Sequence, residues 1–305
     1  GEKKGEMKAA EKEFYNRVAK KYPELSTKKK RVADFILKDY RKLSLMTAKE
    51  LALQCKVSEP TIIRFSVNLG FSGYLELTRH VKSMIQMQRS SVDRLLNAPG
   101  KSNEKTILEN HCDNAFQNFE NLLASVSEEE LQTIAQTLYT TQKVYVVGYR
   151  ASAVPAIYFG YFLKKIRENV TIDTALSWEI NDSIANNSKN SVIFAIGFRR
   201  YPRKIIQFLE YAKKNKVKII GLTDNLISPI INLSDQYTVI ELKGISFVDP
   251  IAHVMTYLSA LIHEITLIDT DKAIKSLKKF EKYVKKQNEF FTNDRTPVWI
   301  PASGN

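Results

Sequence analysis

The chain has 305 residues, 44% of them hydrophobic, enough for two domains with their own cores, and a formal charge of +13. No apolar run reaches membrane-spanning length and no signal peptide opens the chain, so a cytoplasmic protein that does not engage a membrane is expected. Cys55 and Cys112 lie in separate predicted helices and match no metal-ligand spacing, which leaves them as structural thiols with no metal and no cofactor expected.

Position 1 is glycine, and residues 1 to 6 read as a processing remnant outside the fold. Helical periodicity then fills residues 8 to 21, 27 to 39, 47 to 54, 58 to 69 and about 73 to 96, so the front domain is expected to be all helix over 8–96. It is also the basic part of the chain. Residues 1 to 90 hold 20 lysines and arginines against 10 acids, whereas the other 215 residues hold 26 against 23. Lys28, Lys29, Lys30 and Arg31 crowd a predicted first turn where the helix dipole favours acids, a mismatch that a phosphate backbone would relieve.

Inside this region, residues 47 to 70 read as two capped helices joined by the turn Cys55-Lys56-Val57, the pattern of a helix-turn-helix. Thr47 and Glu50 form a capping box, Ser58 is a second N-cap with Pro60 in the first turn, and Gly70 is a C-terminal stop. On a helical wheel Ile62, Phe65 and Leu69 form one stripe and Ile63 with Val67 another, which leaves Thr61, Arg64 and Asn68 on a polar strip between two gripped sides. Arginine can hold guanine through two hydrogen bonds, asparagine can do the same to adenine, and threonine or serine can touch a base or a phosphate. Lys28, Lys29, Lys30, Thr47, Ser58, Thr61, Arg64 and Asn68 are therefore the expected contacts to double-stranded DNA. The alternative is a small helical bundle with an ordinary polar surface.

A turn-rich stretch at 97–103 marks a linker. Helices near 104 to 124 and 127 to 140 precede five β-rich runs at 143–148, 170–175, 191–197, 218–224 and 236–242, separated by helices at 151–167, 178–186, 202–215 and, briefly, 228–233. A long apolar helix at 250–268 and a basic amphipathic one at 272–291 follow, with a loose tail at 292–305. The alternation specifies an α/β doubly wound domain over 104–291 with a five-stranded parallel sheet.

Ligands of such sheets bind beyond the carboxyl ends of the strands. Those ends carry Arg150 and Ser152, then Arg199, Arg200 and Arg203, then Thr223. Arginines converging beside helix N-termini favour an anionic small molecule, most simply a phosphate ester or carboxylate. The bland alternative is an internal arginine cluster that pairs with Glu179, Asp182 or Asp249.

With both halves in place, the chain resembles the MurR/RpiR family of bacterial transcriptional regulators, a helix-turn-helix followed by a sugar isomerase (SIS) domain, over about residues 8 to 270. The residues that carry the likeness are Leu45-Met-Thr-Ala-Lys-Glu-Leu-Ala, Val57-Ser-Glu-Pro-Thr-Ile-Ile-Arg-Phe and Leu69-Gly-Phe-Ser-Gly-Tyr. In the second domain they are Val147-Gly-Tyr-Arg-Ala-Ser and Gly221-Leu-Thr-Asp-Asn-Leu-Ile-Ser-Pro. The resemblance implies operator binding as a homodimer or higher oligomer and sensing of a phosphosugar or sugar acid. It departs at the ligand motifs. SIS domains that hold sugar phosphates carry Gly-x-Gly-x-Ser and Ser-x-Ser-Gly-x-Thr, whereas here Arg150 stands at the second glycine and Gly197, Arg199, Arg200 and Pro202 replace Ser, Ser, Gly and Thr. Phe198-Arg-Arg-Tyr-Pro-Arg203 is similar to an arginine-bearing variant of this family.

Two other functions fit the same scaffold. An isomerase or lyase would need a positioned acid and base, for which Glu179, His253 and His263 are the candidates. A regulator whose SIS domain only dimerises would use the apolar helix at 250–268 and the helices over 104–140. No catalytic residue is expected.

Overall fold

The structure, a computed structural model, describes residues 9–100, 105–186 and 190–290; residues 1 to 6 and the tail expected at 292–305 lie outside them. The front region is helical: α1 (Ala9–Lys21), α2 (Thr27–Asp39), α3 (Ala48–Gln54), α4 (Glu59–Asn68), α5 (Tyr74–Gln88) and α6 (Ser91–Leu96). Their apolar faces close one core of fully buried side chains, including Val32, Ile36, Leu51, Ile62, Phe65, Leu77 and Val81.

The single helix expected over 73–96 is two. Ser90 accepts from the Asp93 amide while Asp93 accepts from the Ser90 amide, so a capping box starts α6 afresh. Ser90 and Asp93 stand at capping-box spacing, but the apolar residues on either side keep a helical period across the break and hide it.

The C-terminal ends of both helices of the helix-turn-helix are Schellman motifs. At the end of α4, the Phe71 amide donates to the Ser66 carbonyl and Gly70 to Val67, with Gly70 at φ +86°. At the end of α3, Val57 donates to Ala52 and Lys56 to Leu53, with Lys56 held at φ +53°. A lysine thus occupies a left-handed position that suits glycine. Lys56→Gly is expected to raise the unfolding free energy by about 0.5 to 1 kcal/mol, the strain relieved by losing Cβ less the added chain entropy. Urea unfolding checks it, and a decrease would mean that the turn is not strained.

The second region opens with α7 (Ile107–Ser125) and α8 (Glu128–Thr140). It continues through β1 (Lys143–Gly148), α9 (Ala153–Ile166), β2 (Val170–Asp173), α10 (Trp178–Asn186), β3 (Ser191–Ile196), α11 (Arg203–Lys214), β4 (Lys218–Thr223), β5 (Gln236–Val239), α12 (Ala252–Ile268) and α13 (Thr270–Gln287). All five strands are parallel in the order β2-β1-β3-β4-β5. β1 and β3 have both faces covered, and their alternate side chains enter different cores. Val144, Val146, Phe194 and Ile196 pack with α8, α9 and α12, while Tyr145, Val147, Ile193 and Ala195 pack with α10 and α11.

The order reverses between β1 and β3, which opens a crevice at their carboxyl ends. Gly148 is required there: a Cβ at this position would lie 2.2 Å from the Ser152 carbonyl oxygen, where the chain turns into α9.

Candidate nucleic-acid interface and ligand crevice

The helix-turn-helix forms where it is expected, and its first helix opens with the expected capping box. Thr47 Oγ1 accepts from the Glu50 amide, and Glu50 Oε2 accepts from the Thr47 amide at 2.7 Å, which holds the Glu50 carboxyl below the usual range. Cys55 is buried beside the turn, and burial pushes its thiol up to about 11.

The exposed face of α4 differs from the expected strip. Thr61 is buried, at 5% exposure, and its hydroxyl bonds Ser58 Oγ at 2.9 Å. Ser58 therefore sits at the N-cap position without capping a backbone amide. Conversely Ile63 and Val67, expected to be gripped, are 43% and 53% exposed. The reason is that α2, α3 and α5 all pack on the side of α4 bearing Ile62, Phe65 and Ser66, so the opposite side meets solvent. The outward face is Glu59, Pro60, Ile63, Arg64, Val67 and Asn68.

Cations rim this face. Lys29 Nζ donates to Asn68 Oδ1 at 2.5 Å, which ties α2 to the end of α4. Arg31 donates to the Lys56 carbonyl in the turn. Lys30 lies over the Tyr22 ring, 5.5 Å from its centroid, and Lys28 is exposed.

In the crevice both hydroxyls expected to meet a ligand, Ser152 and Thr223, make internal hydrogen bonds. Buried Ser152 accepts from the Phe198 amide and so bridges the β1 and β3 loops. Thr223, fully buried, donates to the Gly197 carbonyl and lies 2.8 Å from Ser228 Oγ. Both hydroxyls fasten neighbouring loops.

Arg199 also has an internal anion, though not one of the three considered. Its Nε lies 3.1 Å from Asp224 Oδ2 and its amide donates to Asp224 Oδ1, which also receives the Tyr201 hydroxyl at 2.7 Å. Burial pushes the Asp224 carboxyl up, and the Arg199 charge opposes that shift. Asp249 pairs instead with Arg94 of α6, at 2.8 Å.

Arg200 is exposed and donates to Ser91 Oγ. Arg150 and Arg203 are exposed and make no hydrogen bond or ion pair among the described residues. Arg150 stands at φ +58°, so the backbone keeps the left-handed turn that suits a glycine at this place. Arg150 and Ser152 precede α9, and Arg203 opens α11, so all three stand where the chain leaves the carboxyl ends of β1 and β3 for the following helices.

The candidate acid and base residues are not brought together. Glu179 is exposed on α10 and His263 on α12, helices that pack on opposite faces of the sheet. His253 is buried with Nε2 3.0 Å from the Glu241 carbonyl, and burial holds its pKa down.

The crevice also touches the helical region, through contacts that no motif announces. The loop after β4 that carries Asp224 also carries Ile227, which packs against the core of the helix-turn-helix. Arg94 of α6 donates to the Ser246 carbonyl as well as pairing with Asp249. Asp224 and Ile227 both lie in the quoted Gly221–Pro229 stretch, but no local pattern reports which distant element a loop will meet.

Residues 12–88 match the helix-turn-helix domain of the rpiR family and residues 137–263 match the SIS domain. An HTH-type transcriptional regulator of Caldanaerobacter subterraneus is 25% identical over 67% of this chain and 72% of its own length. The HTH-type transcriptional regulator HexR of Pseudomonas aeruginosa is 23% identical over 70% and 73%. In fold, the chain is similar to the sugar isomerase domain of an RpiR transcription factor from Sphaerobacter thermophilus, with a TM-score of 0.56 and 20% identity over 58% of this chain and 99% of that one. It is similar also to the Vibrio vulnificus NanR protein complexed with ManNAc-6P, with a TM-score of 0.56 and 17% identity over 92% and 100%.

Proposed function

Because the chain belongs to the rpiR family of DNA-binding transcriptional regulators with a SIS domain, we propose that it binds operator DNA through α4 and senses an anionic metabolite, a phosphosugar or sugar acid, in the β1/β3 crevice. The observation that carries this reading is the β4 loop, which supplies Asp224 to the crevice and Ile227 to the helix-turn-helix core. A ligand that shifts this loop would bias the reader, and linkage requires that DNA then bias ligand affinity by the same factor.

Arg150 and Arg203 are the proposed anion contacts, and Arg200 is a third cation held near by Ser91. For DNA, the proposed base contact is Arg64, with Lys28, Lys29 and Lys30 on phosphates. Association into a homodimer is proposed as well: Leu108, Phe116 and Leu123 of α7 are all more than two-thirds exposed, and a two-fold reader matches two half-sites. The divided positions of Glu179, His253 and His263 favour a non-catalytic role over isomerase or lyase chemistry.

The test is a thermal-shift screen of the full chain against N-acetylmannosamine 6-phosphate, other phosphosugars and sugar acids. A ligand at about a hundred times its Kd adds about 2.7 kcal/mol. A rise that disappears in Arg150→Ala/Arg203→Ala, together with altered operator binding, supports the reading. Stabilisation by none of these anions would leave the second domain as a dimerisation module, and turnover of any of them would make it an enzyme.

A further inference from the structure

Resting on the DNA-reading role of α4, we propose that Ile63 and Val67 read thymine methyl groups in the major groove. The two side chains stand four residues apart, about 40° on the helical wheel, so they form one apolar patch on the outward face. Both side chains reach solvent, at 43% and 53% exposure, and neither belongs to the buried core of the helical region. The patch is not the continuation of a core stripe, since Ile62, Phe65 and Leu69 already fill the inward side.

What surrounds the patch selects its occupant. Arg64 lies beside Val67 on the same face, and the exposed Lys28 and Lys56 with the half-buried Lys29 lie on the elements that adjoin it. An apolar protein surface would leave those cations without counter-charge, whereas duplex DNA supplies phosphates around them and a groove floor between. The bases present one apolar group on that floor, the thymine C5 methyl. Two branched aliphatic side chains next to an arginine therefore suit a step in which thymines adjoin the base held by Arg64.

The experiment begins with selection of duplexes from a random library by the full-length protein. Each thymine of the enriched site is then replaced by deoxyuridine, which removes the methyl group and nothing else. The wild-type protein is expected to lose about fourfold in affinity per contacted methyl, the worth of one buried methyl-sized group. Val67→Ala or Ile63→Ala should bind the thymine and uracil duplexes equally at its own position. Both sites are exposed, so neither variant disturbs the core.

Uracil tolerated at every position would overturn the proposal. So would an equal loss in the wild type and both variants, which would place the methyl against another residue. A changed oligomeric state in Val67→Ala would assign the patch to a subunit contact and overturn it as well. If no sequence is enriched at all, the DNA-reading role itself fails, an outcome separate from indifference to the methyl group.

Discussion

Arg199→Ala is expected to lower the unfolding free energy of the chain by about 3 to 5 kcal/mol, the cost of leaving one member of a buried ion pair alone. The Asp224 side chain is 1% exposed and that of Arg199 13%, so water cannot replace the guanidinium around the carboxylate. The Tyr201 hydroxyl and the Arg199 backbone amide would remain on Asp224 Oδ1, but the charge would be uncompensated.

The pH dependence gives the sign. Burial already pushes the Asp224 carboxyl upward, and removing the opposing cation moves it further. The folded variant then holds a proton that the unfolded chain has lost above the ordinary carboxylate pKa of about 4. Stability of the variant therefore falls as pH rises from that value through the folded pKa, more steeply than in the wild type. Urea unfolding at several pH values between acid and neutral reads both effects. A loss under about 1 kcal/mol with an unchanged pH slope would mean that solvent screens the pair. Asp224→Asn should cost less, because the amide can still accept from Tyr201 and the partly exposed Arg199 can turn to water.

Arg64→Ala is expected to weaken binding to the selected operator by about 1 to 3 kcal/mol while leaving binding to scrambled duplex nearly intact. Arg64 is exposed on the outward face of α4 and makes no hydrogen bond or ion pair among the described residues, so its removal touches nothing in the fold. Lys29→Ala should behave differently. Its expected partner is phosphate, so both duplexes would lose affinity together and the salt dependence would fall by about one counterion. Fluorescence anisotropy with the two duplexes over a range of salt separates the cases. An equal loss on both duplexes for Arg64→Ala would move that residue to the phosphate backbone.

Most of the architecture follows from local chemistry. The Thr47–Glu50 capping box, the Gly70 stop, the β-rich runs and the apolar run of α12 are each set by neighbours within a turn or a strand, and each appears where the spacing puts it. The strand ends likewise had to face one edge of a parallel sheet, so the place of the crevice could be stated from the order of elements alone.

What sits in those places depended on contacts between distant segments. A helical wheel gives the angles of Thr61, Ile63 and Val67 but not which arc the rest of the domain will cover, and packing of α2, α3 and α5 on one side buried Thr61 and freed the other two. Composition shows several arginines near one sheet edge, yet only the pairing of β3 with β4 placed Asp224 under Arg199 and left Arg150 and Arg203 facing solvent.

Sequence by itself therefore determined the fold class of the helical and α/β parts, the helix-turn-helix and the edge of the sheet that carries the crevice, because periodicity, caps and strand order are properties of short stretches. Only the tertiary structure decided which polar groups remain free, because hydrogen bonds and ion pairs between residues tens of positions apart consume donors and charges that look available in the linear chain.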